Sequence, residues 1–168
     1  MDKYHIPLHP GNYYHIFNHA IGDENLFRNK GNYNFFLEKY SKHADVICDT
    51  YAYSLLPNHF HFAIRIKDES ECVSCFESTK AKVYSPNLHS LPDFIMERFS
   101  NLCNSYTKSY NAVFERKGAL FIDFMKRVHV TTAKQFENLI NYIHYNAVHH
   151  QFCHDPGMGM EFLWFLCP

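Results

Sequence analysis

His59 and His61 lie in the run Leu55-Leu56-Pro57-Asn58-His59-Phe60-His61-Phe62-Ala63-Ile64-Arg65-Ile66, where a turn is followed by strict alternation. Successive side chains of an extended strand point to opposite faces. Phe60, Phe62, Ile64 and Ile66 therefore share one face, and the two histidines share the other. Two imidazoles projecting together from one strand form a pair of metal ligands. With thirteen histidines in 168 residues, about one His-x-His arises by chance, and a pair of solvent-facing strand histidines is the plainer alternative. The pair needs company elsewhere in the chain to carry a function.

That company is near the end of the sequence, in Asn141-Tyr142-Ile143-His144-Tyr145-Asn146. At 100° per residue, Phe136, Leu139, Ile140, Ile143 and Ala147 gather on one helix face. Tyr142 and Asn146, one turn apart, lie side by side roughly 100° from its centre. Tyr145 points away from the core, which disfavours it and its neighbour His149 as the reactive set. A phenol can displace a sugar oxygen from a phosphodiester and retain the phosphate as a covalent ester when a divalent cation offsets the developing charge. Two His nitrogens and one amide oxygen leave coordination positions open for a phosphate, which suits Mg²⁺ or Mn²⁺. A core-edge aromatic at 142 and a helix-capping role for Asn146 are the alternatives.

The elements that must position these residues follow from periodicity. Residues 11–20 alternate loosely as a first strand, and 31–44 carry Tyr33, Phe36, Leu37 and Tyr40 at helical spacing. The β-prone run 46–55 meets Pro57-Asn58 and then the His-x-His strand, which predicts an antiparallel hairpin. Residues 68–92 are polar and punctuated by Pro86 and Pro92, and predict a long loop with one helical turn. From Asp93 an apolar stripe through Phe94, Ile95, Phe99, Leu102, Cys103, Tyr106 and Tyr110 predicts a long helix ending near Lys117-Gly118. Residues 119–130 then predict a strand, and Thr131 or Thr132 caps the last helix. The expected class is α+β, with antiparallel pairing and helices packed on the sheet.

The length fits one domain over residues 1–168, and no leader or membrane-spanning run is evident, so a cytoplasmic protein is expected. Six cysteines without an export signal predict reduced thiols. Cys72-x-x-Cys75 lacks the two further ligands of a zinc site. Net charge is −1, but its distribution is uneven: residues 98–134 carry seven basic and two acidic side chains, whereas both flanks are acidic. The basic middle, with Arg116, Lys117, Lys126 and Arg127, is a candidate phosphate-contacting face, an ordinary solvated surface being the other reading.

Taken together, Tyr14-His15-Ile16-Phe17-Asn18, Leu56-Pro57-Asn58-His59-Phe60-His61, Gly118-Ala119-Leu120-Phe121 with Arg127, and Tyr142-Ile143-His144-Tyr145-Asn146 resemble the single-tyrosine HUH transposases, in particular the REP-associated tyrosine transposases. The resemblance spans roughly residues 4–155. It implies a ferredoxin-like HUH fold, His59 and His61 as metal ligands, Asn146 as a third ligand and Tyr142 as nucleophile. It further implies single-stranded or hairpin DNA as partner, cleavage through a 5′-phosphotyrosine with release of a 3′-hydroxyl, strand transfer, association with the nucleoid when DNA is bound, and a possible homodimer. The chain departs from the family in having Ala147 where proline is usual, Phe121-Ile122 where an aromatic-Gln pair is usual, and an end at Trp164-Phe165-Leu166-Cys167-Pro168 that suggests a shortened C-terminal segment. A DNA-binding protein of this fold without activity and a metal-dependent phosphoesterase are the alternative functions. A replication initiator or relaxase fits the motif order and length less well.

Overall fold

A computed structural model describes residues 4–122 and 124–149, with side chains to Asn146. The elements are β1 (Tyr13–His19), α1 (Lys30–His43), β2 (Cys48–Leu56), β3 (His59–Ile66), α2 (Glu69–Lys80), α3 (Leu91–Val113), β4 (Lys126–Val130) and α4 (Ala133–His149). The four strands form one antiparallel sheet in the order β2-β3-β1-β4. Leaving α2 aside, this is a βαββαβ arrangement with β1 and β3 in the centre, the α+β, ferredoxin-like class expected from the sequence.

β3 is central and covered on both faces, so almost every residue in it is buried. Phe60, Phe62, Ile64 and Ile66 join Tyr14 and Ile16 of β1 beneath α1 and α3. There they meet Phe36 and Tyr40, and the α3 stripe Phe94, Ile95, Phe99, Leu102, Tyr106 and Tyr110. Burying each such side chain contributes about 1.5–3 kcal/mol, so this layer is the main source of stability. The two-residue turn Pro57-Asn58 fixes the hairpin register, with Leu56 opposite His59 and Ser54 opposite His61.

The opposite sheet face carries α4. Leu139 and Ile143 pack on Ala52 and Ala63, which are direct cross-strand partners. Their single methyls let the helix lie close to the sheet. The Thr132 hydroxyl accepts from the Gln135 N–H at 3.2 Å, and the Gln135 carbonyl oxygen accepts from the Thr131 N–H at 2.9 Å. Thr132 is thus the predicted cap.

Two expectations require correction. Residues 69–80 form a 12-residue helix where a loop was expected. Its start is fixed by the Glu71 carboxylate accepting from the Asp68 N–H at 3.1 Å, and Cys72 and Phe76, one turn apart, are its buried anchors. The last strand is shorter than the 119–130 run, beginning at Lys126. Upstream of it, Phe121 makes only an isolated bridge to Ala20. Phe124 sits at φ +48°, a left-handed backbone that interrupts a strand.

Candidate functional site

His59 and His61 project from β3 onto the α4 face of the sheet, as the alternation requires. The register brings two more histidines to the same face, because His19 of β1 stands opposite His59 and Phe17 opposite His61. The His19 and His59 rings stack with centroids 4.3 Å apart and planes within 16°. His15, one alternate position further along β1, reaches His61 diagonally. Its Nε2 lies 2.9 Å from His61 Nδ1, with the two rings meeting edge to edge at a centroid distance of 5.1 Å, and the His15 ring stacks on Phe17 at 4.7 Å. Burial pushes the His15 imidazole down to about 4, so it is neutral at physiological pH.

The two β3 histidines are buried, at 2% and 4% exposure. His59 Nδ1 is 2.7 Å from Asn58 Oδ1. The oxygen can only accept, so the imidazole donates from Nδ1 and its lone pair is on Nε2. A ring anchored by one nitrogen and offering the other is the arrangement that orients a metal-binding histidine.

α4 brings Tyr142 and Asn146 to this face. The Tyr142 ring meets His61 edge-on, with centroids 5.3 Å apart and planes at 90°, and contacts His15 at 5.9 Å. Tyr142 is 38% exposed and Tyr145 55%. Partial burial raises the Tyr142 phenol above its usual value of 10, so it is protonated at neutral pH. Asn146 is fully buried, and among the described residues neither its Oδ1 nor its Nδ2 has a hydrogen-bond partner. A buried amide in that condition costs about 1–3 kcal/mol. A cation taking Oδ1 as a ligand would offset part of that cost, and an amide oxygen with imidazole nitrogens is a donor chemistry that suits Mg²⁺ or Mn²⁺. Among the described residues no group of three or more His, Cys, Asp or Glu could hold a metal ion.

The four basic candidates divide. Arg116 is spent inside the fold: its Nε is 2.7 Å from Glu24, Nη1 donates to Asn111 Oδ1 at 3.0 Å, and Nη2 donates to the Ala119 carbonyl at 2.7 Å. Arg127 is 8% exposed and donates to the Ile6 and Met125 carbonyls. Both place guanidinium donors on partners within the protein, where the sequence reading expected phosphate-facing side chains. Lys117 is exposed. The Lys126 ammonium lies over the Tyr4 and Phe17 rings at 5.8 and 5.9 Å, on the sheet face that bears the histidines.

Cys48, Cys72, Cys75 and Cys103 are free thiols. Burial raises Cys72 to about 11, and its Sγ donates to the Lys67 carbonyl. Cys153, Cys167, His150 and His154 lie outside the described residues. His15, His19 and Asn58 are the site residues that sequence spacing does not single out. They join the site through cross-strand register and the turn.

No protein-family model matches the chain, and no curated protein matches it. Among solved structures the fold is similar to that of a REP-associated tyrosine transposase bound to a REP hairpin. The TM-score is 0.65 at 13% sequence identity, over 93% of this chain and 78% of that one.

Proposed function

We propose that this protein is a metal-dependent, single-strand DNA-cleaving and strand-transferring enzyme in which Tyr142 is the nucleophile. The observation that carries the reading is the meeting of Tyr142 with His61 on the face that also receives the unsatisfied, buried amide of Asn146. The likeness in fold to a transposase that binds a DNA hairpin supports it. His59, His61 and Asn146 would hold Mg²⁺ or Mn²⁺, which would polarise the scissile phosphate and offset the charge that develops on it.

The rest of the chemistry belongs to the chain. Tyr142 Oη forms a bond to phosphorus as the bond to the 3′ oxygen breaks. The phenolic proton is lost to solvent or a nearby base, and the departing oxygen takes up a proton as a free 3′-hydroxyl. Raised above 10, the phenol needs a positive charge beside it to react at neutral pH, which ties the nucleophile to the cation. The attachment of Tyr142 to a packed helix fixes its distance from the histidines and limits the conformational search before attack. Lys126, on the histidine face, and the exposed Lys117 would contact the phosphate backbone.

The test is incubation of the protein with Mn²⁺ and labelled single-stranded hairpins, followed by denaturing electrophoresis. A covalent protein–DNA adduct that is lost on chelation and in Tyr142→Phe is expected. Cleavage without an adduct would replace this reading with a hydrolytic phosphoesterase, and binding without cleavage would replace it with a DNA-binding role.

A further inference from the structure

We infer that His15 is a positioning residue that holds His61 as the tautomer with its proton on Nδ1, so that the Nε2 lone pair faces the cation. The inference rests on the metal-dependent reading above. The 2.9 Å contact between His15 Nε2 and His61 Nδ1 can be made in two directions, and only one is compatible with ligation by His61. If His15 donates, the His61 proton sits on Nε2 and blocks it; if His61 donates, Nε2 is a ligand.

The neighbouring histidine supplies the precedent for the second direction. His59 uses Nδ1 to donate to Asn58 Oδ1 and so keeps its own lone pair on Nε2. Both β3 histidines have a protein partner at Nδ1, one a turn amide and the other an imidazole on the adjacent strand. His15 is held for this task by stacking on Phe17 and by the edge of Tyr142. A single ring thereby contacts both the proposed ligand and the proposed nucleophile. Loss of such an outer partner typically weakens metal binding about 10–100-fold.

The experiment is long-range ¹H–¹⁵N correlation NMR of histidine-labelled, metal-free protein, combined with Mn²⁺ titration by calorimetry. His61 should appear as the Nδ1–H tautomer in the wild-type protein and lose that preference in His15→Phe, with Mn²⁺ affinity falling about 10–100-fold. His15→Gln, whose amide oxygen can accept the same hydrogen bond, should restore both within a few-fold and serves as the comparison if His15→Phe does not fold. An Nε2–H tautomer at His61 in the wild type, or an unchanged affinity in a folded His15→Phe, overturns the role of His15. A wild-type protein with the Nδ1–H tautomer that binds no Mn²⁺ overturns the metal-dependent reading instead.

Discussion

Tyr142 on α4 and His61 on β3 meet edge to face, with centroids 5.3 Å apart and ring planes at 90°. Two elements far apart in sequence are joined here by the packing of Leu139 and Ile143 on Ala52 and Ala63. The position of the proposed nucleophile is therefore a consequence of helix–sheet packing. Ile143→Ala should separate binding from chemistry. It removes a fully buried side chain at a cost of about 2–5 kcal/mol and loosens α4 against the sheet. Adduct formation should fall more than hairpin affinity, measured on one preparation below its melting point. Equal losses would place the effect in global unfolding.

Asn146 offers a trade between stability and metal binding. Its amide is buried without hydrogen-bond partners among the described residues, so Asn146→Leu, branched in the same way but apolar, should stabilise the protein by about 1–3 kcal/mol. The same change should weaken Mn²⁺ binding. Denaturant unfolding and Mn²⁺ titration on the two proteins read both effects. A destabilised Leu variant would mean that the amide is satisfied in the folded protein.

How far the sequence discloses this arrangement depends on the length scale of each signal. β3 and α3 are legible because one face of each is buried along its whole length, and simple periodicity reports that. α2 is not, because only Cys72 and Phe76 anchor twelve otherwise mostly polar residues. It also carries the Asp68–Glu71 cap and the Lys80–Glu97 ion pair at 2.5 Å, contacts that periodicity does not see. The His-x-His pair and the Tyr142–Asn146 spacing are local and readable. The link from His15 to His61 spans 46 positions and exists only once β1 and β3 are paired in register. Arg116 and Arg127 show the reverse limit, since a basic residue next to a basic residue looks solvent-facing until its carbonyl and carboxylate partners are in place.

Glu24 gives a pH-dependent stability that is independent of the site. Hydrogen bonds from Arg28 first, and then Arg116, hold its carboxyl down to about 2 against an ordinary 4.5. A carboxyl depressed in the folded state contributes stability that is fully present above its ordinary value and lost as pH falls through the folded value. Glu24→Gln should therefore melt below the wild type at pH 7, with the difference shrinking from about pH 4.5 downward and vanishing near 2. Thermal melts across that range decide it. A constant difference would show that the loss comes from packing and not from charge.

Lys126 and Arg127 are adjacent in sequence and should behave oppositely. Lys126 holds its ammonium over Tyr4 and Phe17 on the histidine face, whereas Arg127 is turned inward onto the Ile6 and Met125 carbonyls. Lys126→Ala should leave the melting temperature nearly unchanged. It should weaken binding of single-stranded DNA and lower the slope of log K against log salt by about 0.7, the value for one phosphate contact. Arg127→Met should leave that slope intact and destabilise the fold by about 1.5–3 kcal/mol, because it deletes charged hydrogen bonds and orphans two carbonyls. Fluorescence anisotropy at several salt concentrations, with melts of the same proteins, separates the two. A reduced slope in a folded Arg127→Met would show that the inward guanidinium turns out to meet the phosphate when DNA binds.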